Sequence, residues 1–243
     1  MEWSDTAIVL STRPHGENGV ILELLTREHG RHLGLVRGGS SRRQQPTLQP
    51  GNTLEIHWRG RLSEHLGSYT AELSRARAGT LMEGRASLCG LNAFSAVCAA
   101  ALPERQPYPP VFVAGEILLD AMTHSDAAHW LALFARWEAG LLDALGFGLD
   151  LSECAATGET SDLIYVSPRS GRAVSRAGAG IYAHRLFKLP AFLSGQGGDP
   201  TAEEIAGALA LTGHFLGDRV LEPHGAQMPQ ARIRLDSLLS ESR

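Results

Sequence analysis

Apolar and polar residues alternate with a period near two over the first third of the chain, and with a period between three and four after about residue 80. Residues 6–12, 20–26, 31–37, 53–59 and 65–73 are short, rich in β-branched positions and bounded by turn chemistry, so they predict five strands. The fourth is the clearest. Leu54, Ile56 and Trp58 fall on one face and Glu55, His57 and Arg59 on the other, the pattern of a strand with one buried side. Pro14-His15-Gly16, Glu28-His29-Gly30 and Pro50-Gly51 supply the turns between strands.

The later period predicts helices. Leu88, Leu91, Phe94, Val97, Cys98 and Ala101 share one stripe, and Val111, Ala114, Ile117, Leu118 and Ala121 share another, with the proline-bearing residues 103–110 between them. A third stripe, Trp130, Leu133, Phe134, Trp137, Leu141, Leu142 and Leu145, closes at Gly146-Phe147-Gly148. Residues 150–190 are turn-rich, an irregular insert. A last helix is expected to start at Thr201 as N-cap, with Glu203 and Glu204 in its first turn and Ile205, Leu209 and Leu216 facing inward. The reading is an α+β chain, with a strand domain over residues 1–80 and a helical domain over 81–243. Residues 38–49 and 194–199 look flexible. Five antiparallel strands in so short a length suit a small closed barrel, of the oligonucleotide/oligosaccharide-binding (OB) or an SH3-like kind, because closure removes unpaired strand edges.

Composition changes this picture little. A chain of 243 residues with 43% hydrophobic residues can bury a core, and no apolar run approaches the ~18 residues that would cross a bilayer. Met1 to Asp5 has no basic stretch before an apolar run, so a non-exported, cytoplasmic protein is expected. Cys89, Cys98 and Cys154 have no framework spacing, and reduced thiols follow. The stripe positions of Cys89 and Cys98 make them packing residues.

Charge does change it. The net charge of -4 argues against a uniformly basic nucleic-acid binder, yet residues 1–80 carry 10 arginines against 8 acids while the rest carries 12 basic residues against 18 acids. Lys188 is the only lysine, so the remaining fixed cations are guanidinium groups suited to bidentate phosphate contacts, a bias that GC-rich coding would also produce. Arg37, Arg42 and Arg43 fall within seven residues of Gly-, Ser- and Gln-rich chain without an acid, and Arg13 and Arg31 are expected near them. Arg59 and Arg61 complete the candidate phosphate-binding set. A solvated surface loop is the plainer explanation of the same cluster. Trp3, Trp58 and Tyr69 are the few aromatics of this region, so affinity is expected to come from phosphate contacts more than from base stacking.

Enzyme motifs do not appear: there is no Walker glycine-lysine loop, no three-glycine dinucleotide fingerprint, no nucleophile elbow and no HExxH pair. His124 and His129 flank Asp126 at a spacing that suits a helix boundary better than a metal site. No catalytic residue and no metal ligand set is assigned.

The order of residues adds a resemblance. Thr6-Ala7-Ile8-Val9-Leu10, Arg13-Pro14-His15-Gly16-Glu17, Leu25-Thr26-Arg27-Glu28-His29-Gly30-Arg31, Arg37-Gly38 and Leu48-Gln49-Pro50 resemble the N-terminal region of the RecO family. Arg136-Trp137-Glu138, Leu145-Gly146-Phe147-Gly148-Leu149, Cys154 and Ser167-Pro168-Arg169-Ser170-Gly171 are similar to its helical core and cysteine region. The resemblance implies an OB-fold domain before a helical domain, a non-enzymatic recombination mediator in DNA repair, and a nucleoid-associated location. It implies binding of single- and double-stranded DNA, strand annealing, and partnership with RecR and the single-stranded-DNA-binding protein in loading RecA. A helical adaptor with little direct DNA binding is the alternative. Arg136 and Trp137 are the candidates to receive the acidic, hydrophobic tail of the single-stranded-DNA-binding protein, a buried ion pair and a core tryptophan being the other reading. Zinc-bearing members place two CxxC pairs around the insert, whereas this chain has Cys154-Ala155-Ala156-Thr157 and Ser175-Arg176-Ala177-Gly178. One thiolate cannot close a tetrahedral site, so no zinc is expected, with the loop shape kept by Gly158, Pro168 and Gly171.

Overall fold

The computed structural model describes residues 1–196 and 198–241. Gly197, inside the segment expected to be flexible, lies outside the described residues, as do Ser242 and Arg243. The chain forms two compact units, Met1–His124 with Pro229–Arg232, and Ser125–Met228 with Ile233–Arg243.

The first unit opens with β1 (Glu2–His15), β2 (Gly19–Thr26), β3 (Gly30–Val36), β4 (Thr53–Arg59) and β5 (Ser68–Arg75). β1 is twice as long as its sequence pattern suggests, and that length closes the sheet. Glu2 to Ile8 pair with β4, Ala7 to His15 pair with β2, and a bulge between Val9 and Ser11 bends the strand from one neighbour to the other. The hydrogen-bonded order β1-β2-β3-β5-β4 is a closed barrel, completed by the parallel contact of Leu35 with Ser68. Ala7, Val9, Leu22, Leu24, Val36, Leu54, Ile56, Trp58, Tyr69 and Ala71 fill it.

Ala7, Ile8, Val9 and Leu10 are all buried, although a strand with one wet face would expose every second residue. Ala7 and Val9 face the barrel core, while Ile8 and Leu10 face outward beneath helices. These are α1 (Ala78–Glu83), α2 (Arg85–Ala101) and α3 (Pro109–His124). The first compact unit extends to residue 124, because the first helices cover the barrel. A polar joint fixes this packing: the Arg77 guanidinium, buried at the end of β5, donates to Asp120 at 2.6 Å, to Thr53 at 2.7 Å and to Glu116 at 3.1 Å. Burial works against its charge, but its hydrogen bonds to the two carboxylates hold the Arg77 pKa above its ordinary value.

In the second unit, α4 (Ala127–Ala144) starts at Asp126, whose carboxylate accepts from the His129 amide, so this His-Asp-His stretch is a helix boundary. β6 (Leu163–Val166), β7 (Ala173–Ser175), α5 (Arg176–Ala179) and β8 (Phe187–Lys188) follow. The insert is thus less irregular than its composition suggests: β7, β6 and β8 form an antiparallel three-stranded sheet. α6 (Ala202–Phe215) begins with a capping box in which Thr201 and Glu204 exchange hydrogen bonds, and α7 (Gln230–Glu241) ends the described chain. α4 and α6 pack through Trp130, Phe134, Trp137, Leu209 and Phe215, with Thr212 donating to the buried Glu138 at 2.5 Å. Among the described residues no helix is long and apolar enough to cross a membrane.

Candidate nucleic-acid interface

Strand register, more than sequence spacing, decides where the arginines stand. Arg13 pairs with Ile21, Ile21 with Leu35, Leu35 with Ser68, and Ser68 with Arg59. Inward-facing Val20, Val36, Trp58 and Tyr69 adjoin this row in sequence, so its members point outward. One transverse row therefore crosses all five strands with a guanidinium at each end, over four strand steps of about 4.8 Å. A groove of about 440 Å³ lies beside it, lined by Val36, Arg37, Gln44, Arg59, Ser68, Tyr69, Thr70 and Ala71, with two arginines and no carboxylate.

Arg42 and Arg43 stand on residues 37–50, which are a chain of turns and not the loose loop expected. Ser41 N donates to Gly38 O, Gln44 N and Gln45 N to Ser41 O, and Leu48 N to Gln44 O. Asn52 staples this segment. Its amide nitrogen donates to Pro46 O at 2.9 Å and Thr47 O at 3.1 Å, while its oxygen accepts from the Arg77 and Ala78 amides. Arg61 rides on the β4–β5 connection, where Arg105 donates to Glu64 O at 2.9 Å.

Arg13, Arg37, Arg42, Arg43, Arg59 and Arg61 are exposed, and none forms an ion pair among the described residues. Glu2 lies across from Arg59 in register but turns to His57 at 3.7 Å. Arg31 differs from the other candidates. Its side chain is only 15% exposed, pairs with Glu23 at 2.7 Å and donates to Leu102 O at 2.8 Å, and Glu23 is held in turn by Ser11. Arg31 thus neutralises a carboxylate of the barrel wall and has little charge to offer a ligand.

The aromatics are turned inward. Trp58 is 1% exposed and donates to Leu66 O, Trp3 stacks on Trp58 and on His29, and the Tyr69 hydroxyl is hydrogen-bonded to His32 Nδ1 at 2.7 Å. Burial, aided by the Arg105 charge, lowers the His32 pKa to about 4, so the ring is neutral, and burial raises the Tyr69 pKa. The barrel surface presents charge without a stacking platform.

The partner-site candidates separate. Trp137 is 2% exposed and meets Phe134 edge-on in the α4–α6 core, so it cannot be a surface wall. Arg136 is exposed, but it donates to Phe192 O at 3.1 and 3.3 Å and lies over the Phe192 ring. The adjoining 320 Å³ cleft includes Asp126 and Asp199, which oppose an anionic ligand.

The four positions corresponding to the two CxxC pairs come close together. Ser175 donates from its amide to Cys154 Sγ at 3.2 Å, and its hydroxyl lies 3.4 Å from Sγ and 2.9 Å from Glu159. Thr157 donates to Glu159 at 3.1 Å, and a Cβ added at Gly178 would sit 2.7 Å from Cys154 Sγ. One thiol, one carboxylate and two hydroxyls do not make a zinc donor set, so the residues present do not fit the metal. The family resemblance pointed to these four positions but not to Glu159, which Ser175 links to Cys154 through its hydroxyl.

The first unit is a closed barrel with exposed arginines that form no ion pair among the described residues, covered in part by helices, and the second is a helical unit with a small sheet. The chain belongs to the recombination protein O family: residues 1–77 match its N-terminal description and residues 83–227 its C-terminal one. It is 49% identical to a protein named DNA repair protein RecO from Cereibacter sphaeroides over the full length of both chains. It is 50% identical to one from Phenylobacterium zucineum, covering 100% and 99% of the two chains, and 48% identical to one from Sinorhizobium medicae, covering 96% and 92%.

Proposed function

We propose that this protein is a DNA-binding recombination mediator whose barrel, of the OB kind, holds single- and double-stranded DNA against the row from Arg13 to Arg59 and the neighbouring Arg37, Arg42, Arg43 and Arg61. The observation that carries the reading is that these six guanidinium groups are exposed on the first unit without a carboxylate partner among the described residues, with Arg37 and Arg59 lining one groove. Cations in such a group repel one another, and a polyanion relieves that repulsion while releasing its own counterions. Annealing of complementary strands needs this screening and no bond-making group, so the protein acts without catalysis. With RecR it would help load RecA on DNA coated by the single-stranded-DNA-binding protein.

Fluorescence anisotropy with a labelled single strand and a duplex, over increasing salt, tests the reading. Both forms should bind at low salt, with log K falling linearly in log salt by about 0.7 per phosphate contact for the single strand and 0.9 for the duplex. Failure to bind either form at low salt would reject it. The adaptor reading rests on a different feature, a groove of about 850 Å³ lined by Leu186, Phe187, Leu189 and Pro190 against α6. It would be favoured by capture of the single-stranded-DNA-binding protein without any direct DNA affinity.

The insert is closed, in this proposal, by the Cys154–Ser175–Glu159 knot in place of zinc. Metal analysis of the purified protein is expected to find far less than one zinc per chain, and stoichiometric zinc would overturn the assignment.

A further inference from the structure

The barrel's inward-turned rings leave single-strand recognition without a stacking surface, and the second unit supplies one. The 3₁₀ segment Gly180–Arg185 follows α5, where Gly180, with φ of 46°, turns the chain outward. With three residues per turn, a 3₁₀ helix superposes residues i and i+3 on one side. Ala183 packs inward with Leu186 against Cys154, Val174 and Ala179. The other two rows face solvent: Ile181 with His184, and Tyr182 with Arg185. Ile181 is 81% exposed and Tyr182 is 59% exposed, the highest value of any aromatic side chain among the described residues. Arg185 is exposed and forms no ion pair among the described residues, whereas Arg176 pairs with Asp162 and Lys188 with Glu203.

We propose that Tyr182 and Arg185 form a second DNA contact specific for unpaired strands, the phenol ring stacking on a base and the guanidinium meeting a phosphate. Two residues on one 3₁₀ row stand about 6 Å apart along the axis, close enough to serve one nucleotide. Stacking requires an unpaired base, so this site discriminates strand state, which phosphate contacts at the barrel cannot do. The tip is held still for this purpose. Ser175 caps α5 through the Gly178 amide at 3.1 Å, and the same hydroxyl joins the Cys154–Glu159 knot beneath.

The inference rests on the DNA-binding reading above, and the test separates the two. Affinity of the full chain for labelled oligothymidylate and for a duplex hairpin is measured across a salt series, with unaltered protein, Tyr182→Ala, Tyr182→Phe and Arg185→Ala. Tyr182→Ala should weaken single-strand binding by about tenfold at an unchanged salt slope, with Tyr182→Phe restoring it and duplex affinity unaffected. Arg185→Ala should lower the single-strand slope by about 0.7. Both side chains are solvent-facing, so unchanged melting temperatures are expected and confirm intact folding. Equal affinity of Tyr182→Ala and unaltered protein for the single strand, or an equal loss on duplex, would overturn the proposal while leaving the barrel reading standing. Absence of binding by the unaltered protein would remove both.

Discussion

Replacing Arg37, Arg42 and Arg43 together with alanine is expected to weaken DNA binding on the order of a hundredfold at low salt, nearly independent of base sequence. The slope of log affinity against log salt should fall by about 2 for a single strand and about 2.7 for a duplex, if all three guanidinium groups meet phosphates. The magnitude follows from exposure without neutralisation: these side chains have no carboxylate partner among the described residues, so their removal leaves no stranded charge and the barrel should melt as before. Arg31→Ala makes the contrast. It strips Glu23 of its 2.7 Å partner inside the barrel wall, so it should lower the melting temperature with little change in salt slope. A triple variant with an unchanged slope would remove the 37–43 segment from the interface.

Arg77→Ala is expected to destabilise the first unit by about 3–5 kcal/mol, seen as a fall of about 10 °C in Tm. Arg77 is 3% exposed and its two carboxylate partners are unequal. Asp120 has a 39% exposed side chain and can turn to water, so little of the loss comes from it. Glu116, at 19%, also accepts from Thr53 at 2.5 Å and would be left partly buried with only the half-exposed Arg75, at 3.8 Å, as a cation. Most of the penalty is therefore Glu116 left partly buried with its nearer cation gone, and adding Glu116→Gln to Arg77→Ala should recover part of the stability. A single variant that melts with the unaltered protein would show that the joint contributes nothing to holding the helices on the barrel.

Several features that the structure displays were legible in the chain, and others were written there but passed over. The alternation of Leu54, Ile56 and Trp58 matched a strand with one buried face, and Thr201 with Glu204 gave the start of α6, because both signals are local. The run Ala7-Ile8-Val9-Leu10 carried a second message: four consecutive apolar residues in a strand require cover on both faces. That run alone could have placed the early helices with the barrel. The turn-rich insert hid its sheet because β7 and β8 have only three and two residues, too short to show a period. Trp137 was ambiguous for a related reason, since an apolar helical stripe has the same spacing whether it faces a core or a partner.

The amino-acid order by itself determined the five strands, the stripes of α2 and α4, the excess of arginine at the front and the family, since each depends on neighbours a few residues apart or on the order of residues along the chain; in α3 the buried face runs instead through Phe112, Gly115, Leu119 and Met122 and leaves Ile117 exposed. Only the tertiary structure decided which arginines keep their charge for a ligand. Glu23 reaches Arg31 through the β2–β3 register, whereas Arg13 and Arg59, separated by 46 positions, become ends of one row through pairings across all five strands. It likewise brought Ser175 between Cys154 and Glu159 and left Tyr182 above Arg185 on a solvent-facing turn. Coulombic pairing depends on distance through space, and that distance is set by register and closure, which composition and periodicity do not encode.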